Sequence, residues 1–517
     1  MFLGFLTKDP LIAPLLRLHR SQGGFRSGYS TLTQASLAHE ISVGSSKGIK
    51  VFVDLKKAYD KVPIPRLLKK LYHRRIPINI IEIIESLFTS CYTYIAVNGI
   101  LTDPIPLEIG LFQGSILSPL LFNLFIDDLP QKLECITNPN IIKFPNIEIP
   151  KIMLFADDIQ LTDEDPKGMQ LLLDVLGCWI KENEMEVNFE KTTVMSQEPL
   201  SDPLILFNTP LNQANEYTYL GFPFKNCRID FKIHILSNLD KAKNTLQALK
   251  GYQVTWSEYS KLMIFKAYIS PILEYGAALV FHWIRINYSN RSYLYELLDN
   301  FLKNVLSWIF NSKENYSIKI KMSGLCSFEQ RFSELAYRFT KHLEQCDEEN
   351  PATQFEKAAQ GIIHEQSILP RCYSHPIFNP KANLEMFELR STFLSEFTKG
   401  KTLCELVRQK PFSRKLYDPV LKFKNRETRR LALLWRMNRL FLRKVCIICR
   451  QPYSRGHISR CQLLSEPIDI PRFHNKFPLP SSYNLLDHLL NQEKENEFLE
   501  KLIELSRKLS PAEKYKV

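Results

Sequence analysis

KIMLFADDIQL, residues 151–161, sets two adjacent carboxylates, Asp157 and Asp158, between apolar runs, the pattern of a β-hairpin tip. Upstream, GIKVFVDLKKAYDKV (48–62) places a third, Asp54, at the end of a short apolar strand pattern, Val51, Phe52 and Val53, directly before a helical one. Adjacent carboxylates among apolar neighbours repel each other and lose solvation, so a cation usually compensates them. Magnesium suits the set. It binds a few carboxylates plus phosphate and water, and two such ions about 4 Å apart stabilise both the attacking and the leaving oxygen of a phosphoryl transfer. An isolated Asp-Asp pair is more often a solvated turn, so the surroundings of this one decide its role.

Around these segments, residues 48–225 alternate β-branched or aromatic runs with helical patterns, which predicts an α+β layer. From Ile235 the pattern turns helical: Ile235, Leu236, Leu239, Ala242, Leu246 and Leu249 recur at helical spacing and stop at Gly251. Thr255 and Glu258 read as a capping box before LMIFKAYI, and Pro271 interrupts the helical pattern beyond it. Residues 345–425 are polar and Pro-rich and read as a connector. An amphipathic helix is expected through Leu485, Leu489, Phe498, Leu502, Leu505 and Leu509. A second pair, Asp127 and Asp128, follows Leu117, Leu120, Leu121, Leu124 and Phe125 at helical spacing, and reads as the end of a helix rather than as metal ligands.

The 517 residues have room for about three domains, and 45% hydrophobic residues can fill real cores. Lys and Arg number 67 against 55 Asp and Glu, a net charge of +12 that favours a polyanionic partner. Much of the excess sits at 414–450, where twelve Lys and Arg face only Asp418 and Glu427. Eight of the eleven cysteines stand singly, the pattern of reduced thiols in an intracellular protein. The apolar opening MFLGFLTKDPLIAPLLRL has no basic leader or cleavage site, and the run from Tyr268 to Ile284 is too short to span a bilayer, so neither a signal peptide nor a membrane segment is expected.

Six motifs in order then give the carboxylates their context. They are GGFRSGYSTLTQ (23–34), FVDLKKAYDKV (52–62), GLFQGSILSPLLFNLFIDDLP (110–130), LFADDIQL (154–161), WIKENEMEVNFEKTTVM (179–195) and YLGFPF (219–224). Together they resemble the reverse transcriptases of non-LTR, LINE-type retrotransposons, and of the jockey-like kind. A group II intron maturase is disfavoured by the wording of FADD, KKAYDKV and GFRSGYST. The resemblance implies an α+β right-hand polymerase with truncated fingers, a palm of antiparallel sheet and helices, a helical thumb and a small C-terminal zinc-knuckle region. In these terms 1–47 are partial fingers, 48–225 the palm (the reverse transcriptase domain being about 22–225), 226–344 the thumb, 345–425 the connector, and 426–517 a basic helix, knuckle and C-terminal helix.

The same resemblance assigns roles. Asp54, Asp157 and Asp158 become the catalytic carboxylates holding Mg2+ or Mn2+. Tyr59 becomes the aromatic gate against a 2′-hydroxyl. Gln113 and Gly114 meet the incoming nucleotide and the template, Lys191 lies near the triphosphate, and Arg26 touches template or phosphates. The implied partners are an RNA template, a DNA primer or target, and deoxynucleoside triphosphates, with the nucleus as expected compartment and the cytoplasm as alternative. Only about two dozen residues precede the GFRSG motif, where relatives have longer fingers, and Phe112 replaces a common Pro. No endonuclease signature is evident. Two readings therefore stand: an active polymerase, and an impaired remnant that still binds nucleic acid.

Near the C-terminus, CIICRQPYSRGHISRC (446–461) spaces Cys446, Cys449, His457 and Cys461 as C-x2-C-x7-H-x3-C, which suits one tetrahedral zinc. Before it, Arg429, Arg430, Arg436, Arg439, Arg443 and Lys444 interleave with Leu431, Leu434, Trp435 and Leu442, a helix expected to pack one face and grip phosphates with the other. The purified chain is expected to hold about one zinc ion, lost in Cys446→Ser. Elemental analysis that finds no zinc in the parent would remove the knuckle.

Overall fold

The computed structural model describes residues 2–354, 419–436, 489 and 494–509, apart from 44, 46, 90, 107–108, 137–149, 253–255, 287, 312–315 and 347–348. The zinc-spaced residues Cys446, Cys449, His457 and Cys461, and the basic segment beyond Arg436, lie outside the described residues. Two compact units interleave in sequence: Met1–Ile235 with Ala278–Ile286 and Ala336–Ile377, and Leu236–Ala277 with Asn287–Leu335 and Phe378–Val517. The helical stretch 226–344 is thus shared between them, since Ala278–Ile286 groups with the first unit.

In the first unit a five-stranded sheet runs in the order Asn212–Gln213, Thr193–Ser196, Ile49–Val53, Asp158–Asp163, Ile152–Phe155. All neighbours are antiparallel except Asn212–Gln213, which lies parallel to Thr193–Ser196. The central strand Ile49–Val53 is buried throughout because both faces are covered. Ile49, Val51 and Val53 join Leu161, Val194 and the flanking helices in one core. Phe52, on the other face, stacks on Tyr217 at 4.3 Å between ring centroids, with Tyr219 and Phe224 close by. These three rings belong to an antiparallel sheet of Glu216–Tyr219, Phe222–Lys225 and Arg228–Ile229. Lys50 is also fully buried, its ammonium without a hydrogen-bond partner among the described residues, and burial pushes it down to about 8.

The helix Pro166–Glu182 starts where Asp165 caps it, accepting from the Lys167 amide, and where Pro166 lacks an N–H that would have no partner anyway. It buries Met169, Leu172, Leu173, Leu176, Trp179 and Ile180 at helical spacing. Trp179 Nε1 donates to Asp128, as does Lys70 Nζ, at 2.9 and 2.8 Å. Asp127 is buried, accepts from the His19 amide at 2.7 Å and pairs with Arg74. Both residues sit at the junction of the helices Ser118–Ile126 and Asp128–Glu134, where they serve as structural anions.

In the second unit, Leu239, Ala242 and Leu246 are buried along the helix Phe231–Gly251, which begins four residues before the expected Ile235. Ser257, not Thr255, caps the next helix, Glu258–Ile264, accepting from the Ser260 amide; Thr255 lies outside the described residues. A π turn, Phe265–Ile269, comes next, and Pro271 falls in the first turn of Ser270–Glu274, where its missing N–H costs least. Glu274 accepts from Arg331 at 2.5 and 2.9 Å. The helix Arg426–Arg436 buries Thr428, Arg429, Ala432, Leu433 and Trp435, while Leu431 is only half-buried. Arg429 therefore does not reach for phosphates: it pairs with Glu258 and donates to the Phe423 carbonyl inside the unit. Arg430 remains exposed, paired with Glu427. In the helix Glu495–Leu509, Phe498 and Leu502 are buried, as is Leu489 before it, and Leu485 lies outside the described residues. Among the described residues no single helix is long and apolar enough to cross a membrane.

Candidate active site

Register brings the carboxylates together. Val53 pairs with Ile159 across one edge of the central strand, so the next rung sets Asp54 level with Asp158. Phe52 pairs with Thr193 across the other edge, and two rungs further Asp54 comes beside Lys191, whose ammonium lies 3.9 Å from Asp54 Oδ2. Asn188 Nδ2 donates to the same oxygen at 2.9 Å, and the Asn188 amide donates to the Asp54 carbonyl. The Asp54 amide in turn donates to Thr192 Oγ1. Neither Asn188 nor Thr192 could be singled out from the sequence, where NFEKTT has no pattern beyond its lysine.

Asp157 lies in the turn of the hairpin and Asp158 directly after it, the last pair being Phe155 with Asp158. That leaves a two-residue turn in which Ala156 adopts a left-handed φ of 57°, an unfavourable conformation for a residue with a Cβ. The turn is held from outside. Gln22 Oε1 accepts from the amides of both Ala156 and Gly24, at 3.0 and 2.8 Å. The segment around it pairs with the hairpin strand, Gly23 N–H donating to the Leu154 carbonyl and Leu154 N–H to that of Ser21. A Cβ on Gly24 would stand 2.3 Å from the Ala156 nitrogen, so only glycine lets the two backbones touch. Asn123 Nδ2 donates to the Gly24 carbonyl and fixes it from behind.

The electrostatics are those of an anionic cluster short of cations. Asp158 is pushed up to about 6 by burial, then by Asp157 and Asp54, with Lys191 opposing. Asp157 is raised by burial, opposed by a backbone hydrogen bond and reinforced by Asp54. Among the described residues no three Asp, Glu, His or Cys side chains converge tightly enough to chelate one ion. Magnesium needs no such trio, because one or two carboxylates and substrate phosphates complete its shell. The donor set therefore fits ions that share their coordination with a phosphate ligand.

Tyr59 lies beside Asp157: its phenol is pushed up to about 12 by burial and then by that carboxylate. Its ring stacks on Phe122 at 4.7 Å with 13° between planes, and its buried hydroxyl has no hydrogen-bond partner among the described residues. Tyr217, which sequence reading passed over, is pushed up to about 12 by burial, Asp158 and Asp54. Gln113 is exposed, its Nε2 donating to Asp60 Oδ1 at 3.1 Å, and Gly114 beside it has φ 90°. Arg26 turns inward, one guanidinium nitrogen donating to the His19 and Gln22 carbonyls at 2.7 and 3.0 Å, with the group over the Tyr29 ring.

Replacing Gly24 by Ala is expected to force the Asp157 turn aside, at a cost of about 1–3 kcal/mol from overpacking. The melting midpoint should fall by several degrees, whereas Gly4→Ala, in the helix Phe2–Lys8 with nothing within 4 Å, should not lower it. Equal midpoints for the two variants would show that the turn does not depend on this contact.

Residues 8–224 match the family model described as reverse transcriptase (RNA-dependent DNA polymerase). The chain is 27% identical over 273 residues to the probable RNA-directed DNA polymerase from transposon BS of Drosophila melanogaster, covering 49% of this chain and 29% of that one. It is 29% identical over 259 residues to the Pol polyprotein from the type-1 retrotransposable element R2 of Popillia japonica, covering 46% and 40%. Against the RNA-directed DNA polymerase from mobile element jockey of Drosophila melanogaster it is 25% identical over 272 residues, covering 49% and 29%. It thus spans 29–40% of the length of these relatives. Over residues 8–224, which carry the hairpin, its glycine clamp and all three carboxylates, the chain is thus similar to reverse transcriptases, and the relatives it resembles are polymerases and Pol polyproteins of transposable elements.

Proposed function

We propose that the chain is an RNA-directed DNA polymerase that adds deoxynucleotides to a DNA 3′ end on an RNA template, by phosphoryl transfer at Asp54, Asp157 and Asp158. The observation that supports it most directly is the register-fixed meeting of Asp54 with the Asp157–Asp158 turn beside the ring of Tyr59. Bound to these carboxylates, two Mg2+ or Mn2+ ions would supply the positive charge that stabilises the attacking and leaving oxygens.

In this reading each residue of the chain has a physical task. Asn188 holds the Asp54 carboxylate in one orientation, and Lys191 adds positive charge on the side where a triphosphate would lie. Tyr59, locked by its stack on Phe122, presents a rigid edge to the sugar and excludes a 2′-hydroxyl by size. Gln113 and Gly114 form an open loop for the nucleotide and template, where the lack of a side chain on Gly114 admits close approach. Arg26 acts by bracing the loop that carries Gln22 and Gly24. Residues 1–47 serve as fingers, 48–225 as palm and the helices of 226–344 as thumb, followed by the 345–425 connector and a 426–517 region that grips nucleic acid through a zinc knuckle at Cys446, Cys449, His457 and Cys461. The nucleus, where target DNA lies, is the compartment proposed for this activity, with the cytoplasm as the alternative.

Primer extension on an RNA template tests the reading. Asp54→Ala should lower the extension rate by about a thousandfold or more, since several kcal/mol of charge stabilisation are lost, while RNA binding stays nearly intact. Extension at the parental rate would remove the site. Tyr59→Val should raise ribonucleotide incorporation relative to deoxynucleotide by about tenfold or more while extension persists. An unchanged ratio would return Tyr59 to ordinary packing.

A further inference from the structure

Residues 76–131 contain no Lys, Arg or His at all, in a chain whose net charge is +12. Within this stretch one continuous antiparallel ribbon stands out from the first unit. Its rungs are Tyr92 with Pro106, Thr93 with Ile105, Ala96 with Leu101 and Val97 with Ile100, tied midway by the Thr102 amide donating to the Ile95 carbonyl. Asn98 and Gly99, with φ of 50° and 82°, form the two-residue turn at its tip. Among the described residues neither of its two small sheets has a third strand, so within them its edges are unpaired.

The ribbon is apolar and open to solvent. Tyr92, Tyr94, Ile95, Val97, Ile100 and Leu101 are each between 53% and 75% exposed. Side chains alternate along a strand, so Tyr92, Tyr94 and Leu101 share one face and Ile95, Val97 and Ile100 the other. Taking roughly 150–250 Å2 for a large side chain, the six expose on the order of 700 Å2 over the two faces together, close to the ~800 Å2 that each partner contributes to a standard interface. A polyanion is a poor occupant, because nothing on the ribbon can neutralise phosphates.

The two edges differ. The return strand carries Pro104 and Pro106, which lack amide donors, whereas Tyr92–Val97 contains no proline and can accept a neighbouring strand. An antiparallel edge related to its own copy by a two-fold axis is complementary to itself, so each strand satisfies the other. We propose that Tyr92–Val97 is a homodimerisation edge, on which a second copy of this chain pairs antiparallel and covers the apolar ribbon. The surface is separate from the carboxylate site and does not depend on the polymerase reading.

Sedimentation velocity of the purified full chain across the micromolar range tests this, together with hydrogen exchange of amides 92–97. The expected result is a species of twice the 60.3 kDa chain mass, with protection of these amides rising with protein concentration. In Ile95→Lys/Val97→Lys, like charges meet across the axis, and the dissociation constant should rise by about a hundredfold or more while the melting midpoint stays that of the parent. Three results would overturn the proposal. They are a parent that stays monomeric throughout, a dimer that the double substitution leaves intact, and protection of 92–97 that tracks added primer and template rather than concentration.

Discussion

The site depends on the antiparallel register of Ile49–Val53 between its two neighbours. Side chains alternate along a strand, so a slip of one residue on either edge would turn every side chain of the slipped strand to the other face. Asp54 would then lose its place level with Asp158, or Lys191 its place beside Asp54. The register is protected by what each face buries. Ile49, Val51 and Val53 can only face the helices, and Phe52 can only face the aromatic sheet of Tyr217, Tyr219 and Phe224. Thus ordinary core packing, some residues away from the carboxylates, decides where three mutually repelling charges meet. A second constraint acts from the N-terminal side, where Gln22 and Gly24 clamp the strained turn at Ala156 that points Asp157. The repulsion is borne because these supports do not yield.

Residues whose chemistry comes from local pattern were legible in the sequence. A strand ending in Asp54, a hairpin tip at Asp157 and Asp158, and helix-end carboxylates at Asp127 and Asp128 need only spacing and near neighbours to be read. The supports were less legible because they join positions far apart in the chain. Gln22 reaches a turn more than a hundred residues away, and Asn188 holds Asp54 from a loop with no pattern of its own. Arg429 shows the same limit from the opposite direction. Composition places it in a basic stripe, yet its buried partner, Glu258, lies far upstream and could not be matched to it from spacing. The cap at Ser257 was missed by two residues because Thr255 and Glu258 mimic a capping box, while the Ser257 hydroxyl has the Ser260 amide within reach. Exposure, finally, has no signature in a run such as YTYIAV, which reads equally well as a buried strand.

The buried lysine in the central strand has a consequence for behaviour in alkali. The folded chain gives up the Lys50 proton near pH 8, whereas an unfolded chain holds it to about 10.5, so between these values the unfolded state binds more protons and stability rises with pH. Cys227, buried in the same unit, acts in the opposite sense. Burial pushes its thiol up to about 11 from 9, with Lys50 opposing, so from pH 9 upward the folded state holds the extra proton and stability falls. The two windows overlap between about pH 9 and 10.5, where the gain from one group offsets the loss from the other. An amine and a thiol under one sheet thus act against each other and flatten the alkaline limb of the stability curve.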